Sequence, residues 1–179
     1  EWEPQGDLVL ALYGSEGRLA AVETDPENGL EGRLSSGYRF FENVYVQGRR
    51  TRIGSDVEWS PGPLQFTVEA LRVRDERQEQ GIDFDDLPPL LGVAANFTTR
   101  WRFAPRRDAV LRYEYVGFDD SGPDTNMASV RPRAADVRAR SGQAIAFGGS
   151  WGIARWLRLM GNAGVDWFSD ARTAPAGDD

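Results

Sequence analysis

The chain has 179 residues, a formal net charge of −7 and 40% hydrophobic residues, and it contains neither cysteine nor histidine. Such a length and composition fit one folded domain with a sizeable core, and we predict a single domain over residues 1–179. The two missing residue types exclude disulfides, a Cys/His zinc site and a catalytic triad that uses imidazole, and the negative charge argues against nucleic-acid binding. We therefore predict no enzymatic activity, no cofactor and no metal.

The hydropathy pattern excludes one kind of membrane protein and leaves another open. No apolar run approaches the roughly 18 residues that a membrane-spanning helix needs. A spanning β-barrel remains possible, because its strands are polar on alternate residues.

The N-terminal third predicts short and irregular strands. We expect a hairpin with strands Leu8–Tyr13 and Arg18–Glu23 around a turn at residues 14–17. A loop is expected at residues 25–29, and an irregular strand at residues 33–47.

From Arg52 onward, polar and apolar residues alternate clearly. The pattern predicts six strands, at residues 52–60, 64–74, 91–103, 109–118, 136–151 and 156–168. The first two form a hairpin around a Ser-Pro-Gly-Pro turn, with one apolar set and one polar set. The apolar set, which we expect to face lipid, is Ile53, Val57, Trp59, Leu64, Phe66 and Val68. The polar set, which we expect to face water inside a barrel, is Arg52, Asp56, Glu58, Gln65, Thr67 and Glu69.

Connection lengths and strand lengths favour a barrel wall. Short connections at residues 61–63, 104–108 and 152–155 alternate with long ones at 75–90 and 119–135, as in barrels with one periplasmic end. The strands exceed the roughly five or six residues of average soluble strands. Five tryptophans near the strand ends would suit the aromatic girdles of such a barrel, although core tryptophans of a soluble sandwich would be placed similarly. We predict an all-β, antiparallel transmembrane β-barrel or a C-terminal portion of one.

The basic residues of the predicted strands are all arginines, nine of them against six acids. Most of these arginines alternate with apolar residues along their strands. A water-filled lumen would remove the free-energy cost of burying their charges. A solvated face of a soluble sheet would show the same pattern. The predicted channel-lining residues are Arg52, Arg100, Arg102, Arg112, Arg138, Arg140 and Arg158.

Other polar clusters have simpler explanations. Asp119, Asp120, Asp124 and Asn126 could hold calcium, but they lack the glycine and the glutamate of an EF-hand and are predicted mainly as a solvated loop. Asp56 and Glu58 could mimic a glycosidase pair, and we expect them to pair with lumen arginines instead.

Two segments resemble the phosphate-selective porins of Gram-negative outer membranes, the porin O and P type. They are "RTRIGSDVEWSPGPLQFTVEALRVRDERQEQGIDFDDLP" at residues 50–88 and "RWLRLMGNAGVDWFSDA" at residues 155–171. The resemblance implies a trimeric, sixteen-stranded pore for anions in the bacterial outer membrane, with arginines and lysines along its path. This chain has no lysine, so a lysine cluster cannot be carried over.

Three functions remain open at this point. The first is an outer-membrane channel for small hydrophilic solutes that prefers anions such as phosphate, with the lipid bilayer as its surroundings and a homotrimer as its assembly. The second is a non-conducting barrel that serves as a structural or accessory subunit. The third is a soluble β-sandwich binding module.

Overall fold

Long antiparallel strands make up most of the structure, a computed structural model that describes residues 6–19, 29–30, 33–40, 44–45, 48–76, 89–119 and 141–169. The strands are β1 (Asp7–Leu19), β2 (Gly29–Leu30), β3 (Val44–Tyr45), β4 (Gly48–Ser60), β5 (Leu64–Asp75), β6 (Leu90–Ala104), β7 (Arg107–Asp119), β8 (Ser141–Gly152) and β9 (Arg158–Ser169). Among the residues of these ranges, no helix is long and apolar enough to cross a membrane.

Seven of the strands form one sheet in the order β1-β4-β5-β6-β7-β8-β9, and all neighbours are antiparallel. Strands β1 and β9 are the two edges of this sheet, and β2 and β3 pair separately. The shortest strands of the sheet have 12 residues and the longest has 15, about twice the usual length in soluble proteins. The predicted all-β, antiparallel fold is confirmed.

The connections alternate in length as predicted. Residues 61–63, 105–106 and 153–157 make short turns at one end of the sheet, which we call the short-turn end. The connections that include residues 20–47, 76–89 and 120–140 leave from the opposite end, the long-loop end. Five predicted strands match β4 to β7 and β9 within a few residues, and β8 matches the sixth from Ser141 on. Residues 136–140 lie outside the described ranges.

The predicted N-terminal hairpin is wrong. Residues 14–17 do not turn but continue β1, which pairs with β4 over its whole length, from Asp7 opposite Ser60 to Leu19 opposite Gly48. Thirteen cross-strand pairs outweigh the local preference of Gly14 and Gly17 for a turn.

The irregular strand predicted at residues 33–47 is also wrong where residues 33–40 are described. They form a tight turn closed by the hydrogen bond from Leu34 N to Tyr38 O at 3.0 Å. An isolated bridge joins Arg33 to Arg39. We call residues 33–40 the inner segment, for the reason given next.

The inner segment covers one face of the sheet, which defines the inside. Leu34 and Phe40 are its buried side chains, and they pack with Leu90 and Ala144 of the sheet. Phe40 contacts Phe118 edge-on at 5.2 Å, and a Cβ on Gly142 would stand 2.7 Å from Cζ of Phe40. Because Gly142 has no side chain, the ring can approach the strand backbone. This small core lies at the long-loop end of the inner face.

The opposite, outer face is apolar and exposed. Its large exposed side chains on the strands are Leu8, Leu10, Leu12, Ile53, Val68, Val93, Phe97, Trp101, Leu111, Ile145, Phe147, Trp151, Leu159, Val165 and Trp167. A contiguous apolar surface of this extent is the property of a face that meets lipid or protein. The hairpin of β4 and β5 divides as predicted, with Ile53, Val57 and Trp59 on the outer face.

Candidate functional site

The inner face collects the predicted channel-lining arginines that the structure describes. The strand register places Arg52, Arg100, Arg112 and Arg158 on this face. Arg102 lines the same cavity as Arg100 and Arg158. Arg138 and Arg140 lie outside the described residues, so their place in the wall stays a prediction.

A carboxylate network joins four neighbouring strands near the short-turn end. Asp108 Oδ2 accepts a bond from Arg100 Nη2 at 2.6 Å and from Arg158 Nη2 at 3.1 Å. Asp108 Oδ1 accepts a bond from Ser150 Oγ at 2.7 Å. Asp108 is buried, whereas the two arginine side chains are 38% and 52% exposed. The buried carboxylate therefore orients two guanidinium groups that remain open to water.

A second ion pair ties the inner segment to the wall. Glu114 is buried and pairs with Arg112 Nη2 at 2.5 Å. Its other carboxylate oxygen accepts bonds from Ser35 N at 3.1 Å and from Ser35 Oγ at 2.5 Å. The inner segment thus stands in front of the wall and narrows the space beside the arginines.

The space between the inner segment and strands β7, β8 and β9 is a cavity of about 750 Å³. Its polar lining includes Ser35, Arg112, Ser150, Arg158 and Asn162. Small residues such as Ala146 and Gly148 fill the wall between them. The lining combines charges with small side chains, which leaves room for a small hydrated solute.

Charge is distributed unevenly over the inner face. On β1, β4 and β5 the inner charged residues are Asp7, Asp56, Glu58, Glu69 and Asp75, with Arg50 and Arg52. On β6 to β9 they are Arg100, Arg102, Arg112 and Arg158, with Asp108, Glu114 and Asp166. The excess of arginines counted over whole strands does not extend to the described inner face, where acids outnumber arginines because Arg72 and Arg74 lie on the outer face. One side of the wall is acidic and the other is basic.

The basic side is strongest around a cavity of about 680 Å³ at the short-turn end, which we call the arginine basin. Its charged lining residues are Arg100, Arg102, Arg106, Arg107, Arg155 and Arg158, with Asp108 as the carboxylate among them. The Nε atom of Arg100 is buried and has no hydrogen-bond partner among the described residues. The basin presents several guanidinium donors to one open space, an arrangement suited to oxyanions.

Sequence reasoning missed Arg106 and Arg155, because both lie in short turns where strand alternation assigns no face. Arg106 occupies the second position of the Pro105-Arg106 turn with a φ of 63°. That left-handed conformation is unfavourable for arginine and normal for glycine, as at Gly62 of the turn after β4, with a φ of 60°. The signal that the sequence does contain is the charged turn itself, in which Arg106 and Arg107 follow Pro105.

Aromatic residues form a row on the outer face at the short-turn end. Trp59 stacks on Phe66 with ring centroids 5.5 Å apart, and Trp101 lies 5.4 Å from Phe103. The guanidinium carbon of Arg107 is 4.3 Å from the ring centroid of Trp151. Such a row matches the aromatic girdle at the interface of a membrane barrel.

The two alternative sites of the sequence analysis receive little support. Asp119 ends β7, while Asp120, Asp124 and Asn126 lie outside the described residues. In the described ranges, no cluster of three or more potential metal ligands occurs. Glu58 accepts a bond from Gln65 Nε2 at 2.8 Å, so its partner there is an amide and not the predicted arginine.

Of the comparisons with known proteins, the one with solved structures bears on the fold. No protein-family model matches the chain, and no curated protein matches it significantly. Among solved structures, the chain is similar to OmpTdeltaL8, a loop L8 deletion mutant of OmpT, an outer membrane protein of Vibrio cholerae. The TM-score is 0.57 with 14% sequence identity, and the match covers 92% of this chain and 45% of that one. The antiparallel sheet is of the kind that forms the wall of outer-membrane β-barrels, and the predicted location in the bacterial outer membrane agrees with it.

The same match corrects the prediction that the chain is not an enzyme. That exclusion relied on the missing histidine and cysteine. A barrel fold shared at 14% identity is compatible with catalysis as well as with transport, because function depends on sites and not on the fold. Aspartate and glutamate side chains can act as general acids and bases, so a missing imidazole does not exclude catalysis. The chain spans less than half the length of the structure it matches.

Proposed function

We propose that this chain forms part of the wall of a porin-like channel through which small hydrophilic solutes diffuse, with anions preferred. The arginine basin is the observation that carries the proposal. Its guanidinium groups outnumber the carboxylates of its lining and face one open cavity, so an anion at this end of the inner face meets an attractive potential.

The pairing of the arginines supports passage instead of tight binding. Arg100 and Arg158 share Asp108, and Arg112 is paired with Glu114. Each carboxylate lowers the local positive potential without removing the free N–H donors of the guanidinium. Solute can therefore enter a favourable site and leave it again, which conduction requires. A preference for phosphate among anions rests on the sequence resemblance alone.

Planar-bilayer recordings test this function. In a potassium chloride gradient, the reversal potential of the full chain should indicate preferential passage of chloride. Replacing Arg102, Arg106 and Arg155 together by glutamine should move it toward potassium. Asp108→Asn should move it in the opposite direction. Arg72→Gln is the matched control, because Arg72 lies on the outer face at the long-loop end, away from the basin, and its loss should leave the reversal potential unchanged.

Two results would contradict the channel. They are the absence of current from protein that is inserted and folded, and a reversal potential that the triple variant leaves unchanged. Inorganic phosphate added to the chloride solution tests the finer preference, since a phosphate-preferring channel should lose chloride current as phosphate rises.

A non-conducting barrel is the second candidate, and the inner segment favours it. Phe40 is fully buried and Leu34 nearly so, against the inner face at the long-loop end. A wall whose inner face is filled by its own chain would serve as a structural or accessory subunit. The absence of current combined with normal membrane insertion would support this candidate. The predicted homotrimer stays a prediction.

A further inference from the structure

The outer face carries a cluster of arginines that the channel does not use. Arg18 of β1, Arg49 of β4, and Arg72 and Arg74 of β5 share this face by the strand register. All four are exposed. They lie near the long-loop ends of three adjacent strands, at the start of β4 and toward the ends of β1 and β5, and we call them the outer arginine cluster.

The location of the cluster is unusual for a barrel wall. Arg72 is paired with Ile53 and Val93, and Arg74 is paired with Thr51 and Leu91, so both stand beside or within the apolar surface. An arginine on the lipid face costs up to about 2–4 kcal/mol at the bilayer midplane and about 0–1 near the interface. Four arginines here therefore mark the rim of the bilayer, where long side chains reach the head groups.

A general preference of arginine for the membrane interface does not explain why the described outer-face arginines at the long-loop end are confined to β1, β4 and β5. On β6 to β9 the corresponding outer rim residues that the structure describes include no arginine, and they are Leu91, Asp119, Ser141 and Trp167. Arg49 pairs with Glu16 at 3.2 Å, and Glu76 accepts a bond from the backbone N of Arg49. Within the described ranges Arg18, Arg72 and Arg74 form no ion pair, so the cluster retains positive charge.

We propose that the outer arginine cluster binds the phosphate monoester of a lipid head group in the leaflet at the long-loop end. Neighbouring strands are about 4.8 Å apart, so guanidinium groups on three adjacent strands can surround one phosphate. A phosphate monoester carries close to two negative charges and three acceptor oxygens, and the planar guanidinium fork matches such oxygens in pairs. The long-loop end is the one opposite the periplasmic short turns, which identifies the leaflet as the outer one.

Native mass spectrometry of the full chain in detergent tests the proposal. The protein is titrated with a phosphate-monoester glycolipid, with the same glycolipid after enzymatic removal of its phosphate, and with phosphatidylglycerol, a phosphodiester lipid. We expect the protein to retain the monoester glycolipid and to retain the other two lipids at least about tenfold more weakly, because both lack some of the charge-assisted hydrogen bonds. The double variant Arg72→Gln/Arg74→Gln should lose this retention by at least about tenfold.

The control is Arg107→Gln, which removes an outer-face arginine at the opposite end and should keep full retention. Heat-modifiable gel mobility checks that each variant is folded. If the double variant does not fold, Arg18→Gln alone should still weaken the retention of the monoester lipid, by a smaller factor. Equal retention of all three lipids, or unchanged retention by the variants, would overturn the proposal. Displacement by millimolar inorganic phosphate would show a site for free phosphate and would also overturn it. These outcomes do not depend on whether the chain conducts.

Discussion

The ring of Tyr13 lies over the backbone of Gly54, its partner on the neighbouring strand. A Cβ atom on Gly54 would overlap the Tyr13 ring, so the glycine is required for this contact. The tyrosine in turn covers a strand position without a side chain, which is otherwise a weak point of a sheet. The pair locks β1 to β4 on the inner face.

Gly54→Ala should therefore destabilise the protein by about 1–3 kcal/mol, because the Tyr13 ring must leave its place or the strands must separate. Urea unfolding of the protein in lipid vesicles measures this change as a loss in the free energy of unfolding. Gly17→Ala is the matched control, since Gly17 lies on the same face of β1 and a methyl group added there would meet nothing within 4 Å. Equal stability of the two variants would show that the Tyr13 contact is not important.

The side chain of Arg106 should lower the stability of the protein and increase its preference for anions. Arg106→Gly removes a side chain from a left-handed position, and the unfolding free energy should rise by about 1 kcal/mol. Anion preference should fall, because one guanidinium of the arginine basin is lost. Arg106→Gln separates the two effects: it should reduce the anion preference in bilayer recordings without the gain in stability. A glycine variant with unchanged stability and unchanged selectivity would contradict both statements.

The alternation of polar and apolar residues was enough to predict the sheet from Arg52 onward, because each strand has one apolar face over most of its length. Two regions escaped this reasoning for physical reasons. In β1, the local turn signal of Gly14 and Gly17 competes with pairing to β4, a strand about 40 residues away, and sequence alone does not show that partner. In the inner segment, buried contacts of Phe40 and Leu34 decide the conformation.

The candidate site was only partly predictable for a related reason. Alternation places Arg100, Arg112 and Arg158 on the inner face, and the structure agrees. Alternation also distinguishes Arg72 from these residues, but only once the apolar set of β5 is followed past Ala70 to the end of the strand. A count of all strand arginines does not distinguish the arginines on the inner face of β6 to β9 from those on the outer face of β1, β4 and β5.

The inner segment should limit the width of the channel. Phe40→Ala removes a fully buried ring that contacts Phe118 and Gly142, and should cost about 3–5 kcal/mol of local packing. Because Ser35 still binds Glu114, we expect the segment to loosen without detaching. Single-channel conductance should rise. Phe66→Ala, on the outer face beside Trp59, should leave conductance unchanged. An unchanged conductance for Phe40→Ala would place the constriction elsewhere.

Adjacent residues of β5 test which face meets lipid. Val68 lies on the outer face between Val57 and Phe97, and Thr67 lies on the inner face between Glu58 and Thr98. Val68→Arg puts a charge into the apolar surface and should lower the free energy of unfolding from lipid vesicles by about 2–4 kcal/mol. Thr67→Arg puts the same charge beside Glu58 on the polar face and should change it by less than about 1 kcal/mol. The two variants share strand, depth and added side chain, so only the direction of the side chain differs. A larger loss for Thr67→Arg than for Val68→Arg would reverse the assignment of inside and outside.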